Sequence, residues 1–281
     1  MRAEKVTTLV ELDKSDNLVQ RMILLAAFVL GIFLHTSAFA VKPTSFEGSL
    51  HGFPALREPN GKKLADGDFA QWIEAERLHV KLTYQFPGNR RIEETAEFRQ
   101  RPELIQDKWS WRELREGKPV RRFEVDFGSG QANAEKREDH ELKRWSEKVD
   151  IEPGRTFAGF GFVLAIKNLR ERLIGGEKTE LVTVGFTPKP RSVSVEISHA
   201  GLEQMRMADR SPKGDRFVIH PKIPRIAQLF ITVPDTYIWL VNPPPAGFLR
   251  MEGPLLEPSD PIIRVDLLTG GESGPAKPIS Q

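Results

Sequence analysis

Carboxylates recur closely along the middle of the chain: Glu93, Glu94, Glu97, Asp107, Glu113, Glu124 and Asp126. Hydrolysis of a glycosidic bond needs two such groups converging on one cleft. Here most of them alternate with apolar residues, which predicts a solvated sheet face carrying Arg/Glu pairs across strands. His79, His140, His199 and His220 form no HxxxH, HxH or HExxH spacing, so no metal site is expected. Asp126-Phe127-Gly128 has the letters of a kinase metal triplet. No glycine-rich loop, strand lysine or His-Arg-Asp accompanies it, so it reads as a strand end entering a turn. Gly159-Phe160-Gly161 lacks the third glycine of a dinucleotide loop, and neither a Walker A loop nor a G-x-S-x-G elbow occurs. No cofactor and no catalytic residue is assigned.

The aromatic residues are the sharper feature. Trp109, Trp111, Trp145 and Trp239 fall on predicted strands, and Phe157, Phe160 and Phe162 stand at the start of a predicted helix. Two readings are open. The rings form an ordinary core, or they line an apolar groove between a curved sheet and the helix, suited to an acyl chain or hydrophobic peptide. Tryptophan serves either role, since it buries a large area and keeps one N–H for a rim.

The elements that must position these rings follow from period. In Leu78–Phe86, LHVKLTYQF, apolar and polar residues alternate without exception, as in a half-buried antiparallel strand. Ile92–Phe98, Leu104–Leu114, Phe123–Phe127, Gln131–Lys136 and Leu142–Ile151 continue as strands joined by short turns, a meander. From Thr156, a candidate cap, the period changes. Phe162, Ile166, Leu169 and Leu173 share one helical face over roughly Gly161–Ile174, and Gly175-Gly176 stop the helix. Strands resume at Val182–Phe186, Val193–Ile197, Phe217–His220, Tyr237–Val241, Phe248–Met251 and Ile262–Leu267. Ile226–Val233, bracketed by prolines, reads as a strand or a short helix. Residues 41–75 read as a turn-rich N-terminal segment with a short helix around Asp68–Ala75, and 270–281 as a disordered tail. The expected fold is mainly β: a curved antiparallel sheet or open barrel over residues 76–269, wrapping one main helix near 161–174, with a hydrophobic helix at the N-terminus.

Upstream, Met22–Leu34 is uncharged and apolar, and Ala38-Phe39-Ala40 offers small residues where a signal peptidase reads. The block has the length of a signal-peptide core and is short for a bilayer span. Residues 22–40 are therefore expected to be a cleaved signal peptide, with an uncleaved inner-membrane anchor as the alternative. Residues 1–21 balance Arg2, Lys5, Lys14 and Arg21 against Glu4, Glu11, Asp13 and Asp16, unlike a positive signal n-region. They read as a disordered tail or as a stretch ahead of the true start. The chain has no cysteine, which excludes disulfides, thiolate metal sites and a lipidated cysteine and suits an oxidising compartment. Its net charge of +2 is spread evenly, so nucleic acid is not an expected partner.

The segments WSWRE, FEVDFGSG, PGRTFAGFGFVLAIKNLRERLIGGE and YIWLVNPPPAGFLRMEGP, in that order, give the chain a familiar look over Leu78–Leu268. It resembles a widespread group of exported bacterial β-rich proteins of unknown function, with a curved antiparallel sheet, one embedded helix pair and a late hairpin. In shape that group is similar to the periplasmic lipoprotein carriers, whose open barrel holds lipid. The resemblance implies a fold, an envelope location and, as ligand class, a lipid. The carriers' groove residues have no counterparts here that can be matched residue by residue. The expected function is a periplasmic or secreted, non-catalytic binding or scaffold protein for a lipid or other apolar envelope component. Its ligand groove would be Trp109, Trp111, Trp145, Phe157, Phe160, Phe162 and Trp239. The alternatives are an envelope hydrolase using unidentified carboxylates, and a subunit of an envelope assembly whose only membrane contact is residues 22–40.

Overall fold

Alternation of apolar and polar residues sets almost the whole architecture. The computed structural model describes residues 39–138, 141–205, 211–223 and 233–268. The expectations for residues 1–21, the hydrophobic helix and signal within 22–40, nearly all of Ile226–Val233, and the 270–281 tail lie outside the described residues.

Among the described residues eight strands precede the helix: β1 (Leu50–Arg57), β2 (Lys63–Glu74), β3 (Arg77–Gln85), β4 (Arg90–Arg99), β5 (Ile105–Arg115), β6 (Lys118–Asp126), β7 (Gln131–Glu138) and β8 (Glu141–Lys148). Helix α1 (Gly161–Ile174) follows. Then come β9 (Thr179–Phe186), β10 (Pro190–Gln204), β11 (Lys213–Pro221), β12 (Thr236–Asn242), β13 (Phe248–Pro254) and β14 (Ile262–Leu268). All fourteen form one antiparallel sheet in the order β8-β7-β6-β5-β4-β3-β2-β1-β14-β13-β12-β11-β10-β9. Two meanders are thus joined where the first strand pairs with the last, Ala55 opposite Asp266.

The sheet curls but does not close. Its edge strands β8 and β9 are unpaired with each other, while β10 packs beside β7 and β8. Ser192 Oγ donates to the Asp150 carbonyl across this seam at 2.9 Å, and Lys189 Nζ lies 3.5 Å from Glu147. An open edge invites association. Part of the β9 edge is covered by the loop before the helix: Thr156 bridges Val182 in parallel, with Phe157 N donating to Val182 O and Val182 N to Arg155 O, both at 2.9 Å.

Helix α1 matches the expected bounds and supplies the interior of the curl. All but four of its fourteen residues are buried, including Phe162, Ile166, Leu169 and Leu173 and also Val163, Leu164 and Ala165. It is therefore enclosed by the sheet rather than lying on it. Lys167 pairs with Glu47, Asn168 Oδ1 accepts from Thr44 N at 2.7 Å, and buried Arg170 pairs with Asp215. Among the described residues this is one helix, where the resemblance implies a pair.

Two expectations need correcting. Asp68–Ala75 is not a helix: Asp68–Glu74 end strand β2 and Ala75 begins the turn after it. There Ala65, Gly67, Phe69 and Gln71 are buried and Asp66 and Asp68 exposed, a period of two. Gly67 hides that pattern, because it contributes no side chain; a Cβ there would lie 2.4 Å from the Pro54 carbonyl oxygen. Nor is 41–75 a segment apart from the β-rich domain, since it supplies β1 and β2, which join the two meanders. The compact unit runs from Ala40 onward. Val41 is buried, its N–H donating to Gly154 O and its carbonyl accepting from Leu104 N, both at 2.9 Å.

Candidate functional site

The start of α1 is held by side chains from distant strands. Thr156 is not its cap, because the Thr156 hydroxyl accepts from Glu152 N instead, at 2.8 Å. The free N–H groups at a helix start attract a negative group, and here that group comes from β4. Glu94 Oε1 accepts from Phe160 N at 2.9 Å and from Trp109 Nε1 at 3.0 Å. Beside it Gln106 accepts from Ala158 N at 2.8 Å and donates to Ala158 O at 3.2 Å. Gly159 has φ +52°, and a Cβ there would lie 1.9 Å from Glu94 Oε1, so glycine is required.

Burial raises the Glu94 pKa above its usual 4.5, and the bonds from Phe160 N and Trp109 only partly oppose this. Tyr84 nearby has a buried hydroxyl with no hydrogen-bond partner, and burial followed by the Glu94 charge pushes its pKa well up. This corner of the interior is not sealed. Gly159 is exposed, and Leu82, Glu94 and Phe160 keep part of their surface although they point inward. They adjoin one another: Leu82 pairs across strands with both Phe69 and Glu94, and the Phe69 and Phe160 rings lie 4.9 Å apart.

At one end of the curl a cavity of about 750 Å³ opens. Its walls include Leu56, Leu64, Phe86, Val120, Leu255 and Ile263, and Arg90, Arg115, Arg121 and Arg137 also line it, with Glu113 and Asp260. The inward Glu113 is almost fully buried between Arg90 Nε at 2.7 Å and Arg121 Nε at 2.9 Å. Burial pushes its pKa up, yet Arg121 and Arg90 together outweigh burial and hold it below the usual 4.5. Arg121 also reaches Asp260 at 2.8 Å and lies 5.0 Å above the Trp111 ring. Arg90, Arg115 and Arg121 share Glu113, and Arg121 also meets Glu257 and Asp260, so this end is a network of paired charges in which Arg115 stays mostly exposed. The volume and mixed lining fit a small-molecule site.

The predicted groove residues divide. Trp109 and Trp111 are each 3% exposed and Phe157 is 0% exposed, so these are core. Trp109 stacks on Phe186 at 6.0 Å and Trp111 lies 5.8 Å from Phe123. Phe162 is buried 6.4 Å from Phe157, while Trp145 and Phe160 are partly buried against the same core. The helix occupies the space in which these rings would have bordered a groove. Trp239 is elsewhere. It lies with Met205 and Leu249 in a second cluster on the opposite face of β12 from Ile238 and Leu240, its Nε1 donating to Glu203 at 2.8 Å. Sequence reasoning read most of the carboxylates as a solvated face and singled out neither Glu94 nor Glu113; both point inward. Their phase was the signal, Glu94 with Ile92, Ala96 and Phe98, and Glu113 with Trp109 and Trp111.

Among the described residues no group of three or more His, Cys, Asp or Glu could hold a metal ion, and no helix is long and apolar enough to cross a membrane. No family model matches the sequence, and no match is found among curated proteins. Among solved structures the chain is similar to a crystal structure of a β-barrel-like protein of a domain of unknown function, DUF1849, from Brucella abortus. That likeness is at 8% identity and a TM-score of 0.45, covering 79% of this chain and 99% of the other.

Proposed function

We propose that the protein is a non-catalytic envelope binding protein for an amphiphile with an acyl chain and an anionic head. The observation that carries this is the cavity of about 750 Å³ with aliphatic and phenyl walls and four arginines in its lining. The chain would lie along Leu56, Leu64, Phe86 and Ile263 and the head would meet Arg115 and its neighbours. Catalysis by a carboxylate pair is the poorer reading. Glu113 is already engaged by Arg90, Arg115 and Arg121, and Glu94 by Trp109 and Phe160 N. Export through residues 22–40 belongs to the proposal and is supported by Ala38-Phe39-Ala40 standing just before Val41, where the buried contacts begin.

A ligand that binds only the folded state stabilises it, by about 2.7 kcal/mol at a hundredfold excess over Kd. A thermal-shift series of long-chain fatty acids and the matching neutral alcohols tests the proposal. The acids should raise the melting temperature more than the alcohols, and Arg115→Gln should narrow the gap. Its side chain is mostly exposed, so the substitution spares the fold. No shift with any member of the series, or equal shifts for acids and alcohols, would count against the site.

A further inference from the structure

The outer surface of β2–β7 carries a second cavity, of about 510 Å³, on the face opposite the core. Antiparallel pairing stacks outward side chains into rows running across the strands. One row is Ala70, Lys81, Thr95, Ser110, Glu124 and Asn133, each opposite the next. The neighbouring row is Trp72, His79, Glu97, Lys108, Asp126 and Gln131. The first row is mostly short, so the two together make a trough. With strands ~4.8 Å apart, five steps from β2 to β7 span about 24 Å.

The lining specifies a chemistry. Lys81 and Lys108 are outnumbered by Glu97, Glu124 and Asp126, which disfavours phosphates and polyanions. Thr95, Ser110, Gln131 and Asn133 offer hydroxyl and amide groups that both donate and accept. Thr95 and Ser110 hydroxyls lie 2.8 Å apart, and Ser146 Oγ donates to Asn133 Oδ1 at 2.7 Å, so these groups are already oriented. At one end the Trp72 indole is 36% exposed and stacks on His79 at 5.4 Å and 14°, a platform held flat. A neutral ligand with hydroxyls along its edge and an apolar ring face fits all of this. We infer that the trough binds a linear neutral oligosaccharide, one pyranose ring lying on Trp72 and the following units over Thr95, Ser110 and Asn133. This site is on the other side of the sheet from the amphiphile cavity and does not depend on it.

Calorimetric titration of the full chain with chitohexaose, cellohexaose and maltohexaose tests it, with the matching monosaccharides and heparin as comparisons. At least one hexasaccharide should bind, about tenfold or more tighter than its monosaccharide. Trp72→Ala should weaken binding about tenfold, the loss of one aromatic stack with its buried area. Ser110→Arg should abolish it by filling the trough. Both positions face outward, and unchanged melting temperatures would separate lost binding from lost fold. Absence of heat with all three hexasaccharides, binding indifferent to both substitutions, or preference for heparin would overturn the inference.

Discussion

Two inward glutamates respond to pH in opposite senses. Glu94 has a raised pKa, so the folded state holds its proton more tightly than the unfolded chain. Its contribution is most favourable below about pH 4.5 and is lost as pH rises through the folded value. Glu94→Gln keeps an oxygen for Phe160 N and Trp109 and removes the buried charge. It should be more stable than wild type at neutral pH, an advantage that vanishes in acid urea melts. Glu113 has a lowered pKa, so its contribution is full above the unfolded value and is lost as pH falls through the folded one. Glu113→Gln should therefore destabilise at neutral pH and cost little in acid. Tyr84→Phe removes a buried hydroxyl that has no partner, so it should leave stability unchanged or slightly raised in the same melts. These inward charges were legible in the alternation, since each keeps phase with buried neighbours. What the alternation did not contain was the partner, because Glu94 and Phe160 are 66 positions apart.

The helix is the element that decides whether the interior is a core or a groove. Its bounds followed from the spacing of Phe162, Ile166, Leu169 and Leu173 and from Gly175-Gly176, all local features. The burial of its other faces did not, because that of Val163, Leu164 and Ala165 depends on how far fourteen strands curl around it. Leu169→Ala should cost ~2–5 kcal/mol through lost burial and a residual cavity. Leu169→Asp should cost more, as an unpartnered carboxylate would be desolvated. Equal urea midpoints for wild type and Leu169→Asp would contradict the enclosed helix. At its start, Gly159→Ala should destabilise by about 1 kcal/mol or more through its positive φ, and further by displacing Glu94. Strand β2 was missed for an equally local reason: Gly67 interrupts the apolar run, and the close approach of Pro54 that demands glycine there is made by another strand.

For the molecule as a whole, the curl has two cavities proposed to take a ligand, the arginine-lined end and the outer trough, and the central claim concerns the first. The aromatic residues singled out from sequence are mainly packing between helix and sheet, and the proposed site is at the end of the curl instead. That end is assembled from β1, β2, the β3–β4 turn, β4–β7, the β13–β14 turn and β14, a convergence that no stretch of sequence displays. If residues 22–40 act as a cleaved signal, N-terminal sequencing of envelope protein should begin at Val41; a retained leader on membrane-bound protein would favour the anchor. The most direct test is native mass spectrometry of the protein purified from its own envelope. The account predicts one bound anionic amphiphile per chain in wild type, depleted by Arg115→Gln. Bare protein alone, from wild type that is folded by thermal melt, would contradict it.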